Sequence, residues 1–200
     1  NRGVIERQLD AISTAQRMSG HEVWIMAPML GSPSHVRYFA ELVRARTNFR
    51  VGAMIELTSL ADEVDELAGV VDFVSIGTND LSQDLFGVDR NSPTDLGLLD
   101  HWQPRLIQLI GRVATASRNA SIDCSVCGSA ASDPTFAVVL AGLGVSSVSC
   151  APAAVASVRA SLTSFEAVVA AEAAVLAEGA ESNVAAKLVV QAFLTQKGAS

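Results

Sequence analysis

Aromatic residues are scarce in this 200-residue chain: seven Phe, two Trp and one Tyr make up 5% of it. Half of the residues are hydrophobic all the same, so Ala, Val and Leu carry most of the apolar mass. That supply can bury one domain, and it excludes disorder and collagen-like repeats. Cysteine is also rare. Its three copies, Cys124, Cys127 and Cys150, are an odd number and exclude a disulfide scaffold. With no signal peptide ahead of them, they point to a reducing cytoplasm. Basic charge is short as well, 14 Lys and Arg against 21 Asp and Glu, a net −7. Such an acidic chain has no general footprint for nucleic acid or an anionic membrane. A few cations can still gather around one small anion. No apolar run spans a bilayer, because the most apolar stretch, residues 165–177, carries Glu166 and Glu172. The chain opens at Asn1 inside a helix-like segment, which suggests processing or a piece of something longer.

What is present is alternation. Residues 4–18, 34–46 and 57–68 have helical apolar spacing, with Ser59 placed to cap the last of these. Between and after them, residues 22–28, 51–57 and 71–76 are short apolar runs that predict strands. A polar, Pro-containing loop at 91–95 leads to a helix over 103–118, opened by Pro104. A strand at 122–127, a helix at 134–143, a strand at 145–150 and a helix at 152–162 follow. The strands then stop, and 165–178 and 183–195 are Ala-rich helices. Short strands alternating with helices mean βαβ units and a parallel sheet, an α/β fold. Five strands are too few for a closed eight-stranded barrel, which needs about 250 residues. A small doubly wound sheet and an incomplete barrel both remain open on periodicity alone.

Ligands of parallel α/β folds sit at the carboxyl ends of strands. The polar residues there are Glu56, then Thr78-Asn79-Asp80, then Cys127-Gly128-Ser129, then Ser149-Cys150. Glu56 and Asp80 can hold one Mg²⁺ or Mn²⁺ between them. On spacing alone, the blander assignment comes first: Asp80 caps a helix beginning at Leu81, and Glu56 is an ordinary loop acid. Gly77 before a helix start offers backbone N–H groups to a phosphate. It is neither a Walker loop nor a dinucleotide fingerprint. Cys124 and Cys127 are three apart in a strand and face opposite sides, so neither a metal nor a disulfide joins them. No second CxxC, paired His or GxSxG elbow is present.

Taken together, Ile25-Met-Ala-Pro-Met29, Gly52-Ala-Met-Ile-Glu56, the run Val71–Gln83 (VDFVSIGTNDLSQ), Val88-Asp-Arg90 and Val126-Cys-Gly128 resemble one family. It is the PEP-utilising enzyme C-terminal domain, where PEP is phosphoenolpyruvate. Enzyme I of the sugar phosphotransferase system, PEP synthase and pyruvate phosphate dikinase share this PEP- and pyruvate-binding (β/α)₈ TIM barrel. Leu143-Gly-Val145 leading into Ser149 matches too, and Val88-Asp-Arg90 followed by Asn91 fits enzyme I best. The resemblance implies later barrel strands over residues 1–164 and a helical tail packed on them over 165–200. It also implies Glu56 and Asp80 as ligands of Mg²⁺, or Mn²⁺, and Asn79, Asp80 and Arg90 as holders of the PEP phosphate. Cys127 corresponds to the acid that protonates C3 of the enolate.

Departures accompany the match. Ser129 stands where the family has Glu, Cys150 where it has Met, and Ala151 where it has Ser. The first three barrel strands, and the swivelling domain with its phosphoryl-accepting His, have no counterpart here. The implied activity is Mg-dependent transfer of phosphoryl from PEP to a protein histidine, giving pyruvate and serving sugar transport. A phosphocarrier partner acting through the missing N-terminal part, a homodimer and a cytoplasmic location come with it. This stretch alone is expected to bind Mg-PEP weakly and not to turn over. PEP synthase or dikinase, a metal-dependent pyruvate aldolase or lyase, and a non-catalytic dimerisation or regulatory module are the rival assignments.

Overall fold

Five parallel strands lie side by side in chain order: β1 (Trp24–Ala27), β2 (Arg50–Ile55), β3 (Phe73–Gly77), β4 (Asp123–Cys127) and β5 (Ser147–Ser149). The computed structural model describes residues 2–89 and 96–198. A doubly wound sheet would reverse its strand order at a switch point. None occurs here, so right-handed crossovers bring all helices to one face. The incomplete barrel is therefore the architecture.

Alternation along each strand separates two faces. Val51, Ala53 and Ile55 of β2, Val74 and Ile76 of β3, and Cys124 and Val126 of β4 are buried on the helix side. On the other face Trp24, Met26, Phe73, Ser75, Ser125, Ser147 and Ser149 line a cavity of about 420 Å³. That concave face corresponds to a barrel interior.

Helix α1 (Arg2–Ser19) packs on α2 (Pro33–Arg44) through Leu9, Ala40 and Val43. After β2 the long helix predicted over 57–68 does not form. A single turn, α3 (Thr58–Ala61), is followed by a 3₁₀ turn at Val64–Leu67. Asp62, Glu63, Asp65 and Glu66 fall at like-charge helical spacings, which disfavours continuing the helix. Ser59 does not cap it. Its hydroxyl donates instead to the Gly31 carbonyl at 3.0 Å, and Leu57 occupies the cap position.

Helix α4 (Thr78–Phe86) begins three residues earlier than expected and ends on Gly87 at φ 65°. Asp80 thus lies in its first turn, not at its cap. Helices α5 (Pro104–Asn119) and α6 (Pro134–Gly142) flank β4, and α7 (Val155–Thr163) follows a 3₁₀ turn at Pro152–Ala154. The last two helices, α8 (Ala167–Glu178) and α9 (Asn183–Gly198), share the core through Ala170, Ala173, Ala174, Ala177, Ala186 and Val190. A Cβ on Gly142 would collide with the Ala170 carbonyl, so α6 and α8 touch backbone to backbone. Among the described residues no single helix is long and apolar enough to cross a membrane.

Candidate functional site

The register of the sheet builds the site. Gly77 of β3 pairs with Cys127 of β4, and Cys127 pairs with Ser149 of β5. Glu56, one residue past β2, completes this row on the concave side. A Cβ on Gly77 would lie 2.7 Å from Glu56 Cγ, so glycine there makes room for the carboxylate. Glu56 is buried, 6% exposed, and its Oε2 accepts the Met29 N–H at 3.0 Å. Met29 adopts φ 55°, unusual for a residue with a side chain, and that bend aims its N–H at the acid. Asp84 of α4 accepts both the N–H and the hydroxyl of Thr58, at 2.7 and 2.6 Å. The C-terminal half of α4 is thereby tied to the helical turn that follows Glu56.

A second set of bonds joins the ends of β3 and β4. Thr78 Oγ1 donates to the Cys127 carbonyl at 2.9 Å. The Ser129 hydroxyl and N–H both donate to Asn79 Oδ1, at 2.7 and 3.3 Å. Gly128 lies between them at φ 93°, where a Cβ would stand 2.7 Å from Thr78 Oγ1. The strand-end positions therefore bring Glu56, Asn79, Asp80 and Cys127 to one rim. Asp80 Oδ1 accepts from Gln83 at 2.9 Å within α4. Arg90 and the predicted 91–95 loop lie outside the described residues.

Asp133, six residues after Cys127, joins the start of α6 to the His101-Trp102 segment, more than 30 residues earlier in the chain. Its Oδ1 caps α6 by accepting the N–H groups of Thr135 and Phe136, at 2.9 and 3.1 Å. Its Oδ2 accepts from Trp102 Nε1 at 3.1 Å and pairs with His101 Nε2 at 3.2 Å. Both rings pack edge-on against Phe136. Burial alone pushes the Asp133 carboxyl up. The bonds from His101, Phe136 and Trp102, with the His101 charge, outweigh it and hold the carboxyl well below the usual carboxylate range.

The cysteines divide as the strand period requires. Cys124 is buried on the helix side, and burial pushes its thiol up to about 11, opposed only by Ser117. Cys127 and Cys150 are partly exposed. A thiol reagent is expected to modify Cys127 and Cys150 in the folded chain and to reach Cys124 only on unfolding. Mass spectrometry of the labelled peptides over time tests this order, and early modification of Cys124 would contradict it.

Among the described residues no group of three or more His, Cys, Asp or Glu side chains gathers as a closed metal cage. Glu56 has no Lys, Arg or His ion-pair partner among them either. A buried carboxylate without a cation calls for counter-charge. Hard oxygens from Glu56 and Asp80 suit Mg²⁺ or Mn²⁺, which complete their octahedra with water and substrate oxygens. The residues present fit such an ion.

A sequence profile described as the PEP-utilising enzyme, PEP-binding domain, matches residues 1–167. A phosphoenolpyruvate-protein phosphotransferase of Streptomyces coelicolor is 37% identical over 193 residues, covering 96% of this chain and 35% of that protein. A probable phosphoenolpyruvate synthase of Pyrococcus abyssi is 30% identical over 162 residues, covering 78% of this chain and 20% of that protein. The chain therefore spans about a third or less of the length of these relatives. Among solved structures, a citrate lyase of Burkholderia xenovorans has a TM-score of 0.54 at 17% identity, over 88% of this chain and 63% of that one. At that identity the likeness concerns the fold alone.

Proposed function

Because this chain belongs to the PEP-binding domain family of PEP-utilising enzymes, we propose that its rim is the PEP site of a PEP-dependent phosphotransferase with a protein histidine as acceptor. The observation that carries this reading is the row of Glu56, Gly77 and Cys127 at adjoining strand ends, with Asn79 and Asp80 beside it. The phosphotransferase is preferred to a PEP synthase because the former relative matches more of the chain at higher identity.

In this reading Glu56 and Asp80 hold Mg²⁺ or Mn²⁺. When bound, the ion draws off the charge that develops on the enolate and phosphate oxygens. Asn79 and the N-terminal turn of α4 bind the phosphoryl group, where the positive end of the helix dipole favours an anion. The P–O bond to the enolate oxygen breaks as the acceptor nitrogen takes the phosphoryl group. The Cys127 thiol then gives its proton to C3, forming the methyl group of pyruvate, and solvent restores the thiol. A phosphocarrier partner, a role in sugar transport, a cytoplasmic site of action and a homodimer belong to the same proposal.

Titration of the isotope-labelled chain with PEP and Mg²⁺, followed by NMR, tests the assignment. Saturable shifts are expected at Gly77 to Asp80 and at Cys127 to Ser129. Shifts confined to other surfaces, or no saturable shift at all, would contradict it.

A further inference from the structure

Asn79 carries a side-chain amide, one end of which accepts hydrogen bonds while the other donates. Which end faces the rim decides what the residue recognises. An oxygen turned to the rim favours a cation, whereas an N–H pair favours a phosphoryl oxygen. The contacts of Ser129 make that choice. A backbone N–H can only donate, and the Ser129 N–H meets Asn79 at 3.3 Å, so the amide oxygen faces Ser129. The Ser129 hydroxyl adds a second donor to the same oxygen at 2.7 Å.

The place of Ser129 is itself fixed. Gly128 at φ 93° turns the chain back towards α4, and Thr78 Oγ1 grips the Cys127 carbonyl one residue earlier. Ser132, at the end of the same turn, accepts the Ala151 N–H at 3.1 Å. Asp133 then anchors the following helix. The hydroxyl is therefore presented to Asn79 from a turn held on both sides.

We infer that Ser129 is a positioning residue that commits the Asn79 oxygen to the β4 turn, leaving the Asn79 N–H pair to bind a phosphoryl oxygen and keeping Asn79 out of the metal's coordination. This assignment rests on the PEP-site reading, and it adds what fixes the orientation of the Asn79 amide. Ser129 itself touches neither substrate nor metal in this scheme.

Three forms of the full chain test it: the unaltered protein, Ser129→Ala and Ser129→Thr. In the ligand-free state the Asn79 Nδ2 signal is expected to be as ordered as the backbone in the unaltered protein and in Ser129→Thr. In Ser129→Ala it is expected to lose that order, with the melting temperature unchanged. PEP affinity in the presence of Mg²⁺ should weaken about fivefold in Ser129→Ala, the equivalent of one ordinary hydrogen bond, and return in Ser129→Thr. Mn²⁺ affinity without PEP should not fall. An Asn79 amide equally ordered in Ser129→Ala, or an unchanged PEP affinity, would overturn the positioning role. If the unaltered chain itself shows no response to PEP, the PEP-site reading fails. The ligand-free order of Asn79 then still decides whether Ser129 holds it.

Discussion

Replacing Glu56 by glutamine is expected to lower divalent-cation affinity on the order of 100-fold while leaving the fold intact. The two effects separate because the residue has two tasks. Its Oε2 accepts the Met29 N–H, and a glutamine oxygen can accept the same bond. The size of the side chain is also kept, which matters beside Gly77, where a Cβ would already be 2.7 Å from Glu56 Cγ. What is lost is the negative charge, and with it one of two carboxylates offered to the ion. Even partners outside the coordination shell are worth about 10- to 100-fold in metal affinity, so loss of a direct ligand belongs at the upper end or above. Electron paramagnetic resonance of Mn²⁺ measures the free ion directly. The melting temperature should stay within about 3 °C, which for a chain of this size corresponds to less than 1–2 kcal/mol. An unchanged Mn²⁺ affinity in Glu56→Gln would remove the residue from the metal site.

The second large effect is on stability and lies away from the reacting groups. Asp133→Ala is expected to cost about 3 kcal/mol, since it removes a helix cap and strands a fully buried indole N–H. The cap consists of the Thr135 and Phe136 N–H groups, and the indole belongs to Trp102, which is 0% exposed. For a chain of 150–250 residues that loss lowers the melting temperature by about 6–12 °C. The acid form of the same experiment has a definite sign. Native contacts depress the carboxyl of Asp133, so the native state binds its proton less readily than the unfolded chain. The stability it contributes is complete above the usual carboxylate range, about pH 4, and is lost as pH falls through the folded-state value. The difference in unfolding free energy between the unaltered protein and Asp133→Asn should shrink as pH falls below about pH 4. A difference that grew as pH fell below about pH 4 would contradict this account of the carboxylate.

Much of the scaffold was legible because its signals are local. Helical spacing in 103–118 and short β-rich runs such as 122–127 are set by which faces must be buried, and both elements form close to the expected bounds. The strand period also put Cys124 and Cys127 on opposite faces, as found. What periodicity left open was sheet topology, since an open barrel and a doubly wound sheet bury the same runs. It failed at 57–68, where apolar spacing continues but four acids in five residues break the helix. It also misplaces the start of α4, where Gly77, and not Asp80, holds the cap position.

The site was legible in part, as a set of polar residues following strands. Its supporting bonds were not, because they join positions distant in sequence. Met29 reaches Glu56 through a backbone N–H, across 27 residues, and no side-chain type advertises that. Ser129 and Asn79 are 50 residues apart. Asp133 and Trp102 are 31 apart, although Asp133 followed by Pro134 is itself a helix-start signal that would have identified the cap.

The central claim is that one cation on Glu56 and Asp80 and the phosphate of PEP occupy the same rim together. Phosphorus-31 relaxation of PEP in the presence of Mn²⁺ and this chain measures that proximity directly. The predicted result is a relaxation enhancement above that of Mn²⁺ and PEP alone, reversed by excess Mg²⁺ and absent in Glu56→Gln. PEP relaxation that the chain leaves unchanged, or an enhancement that Glu56→Gln retains in full, would contradict it.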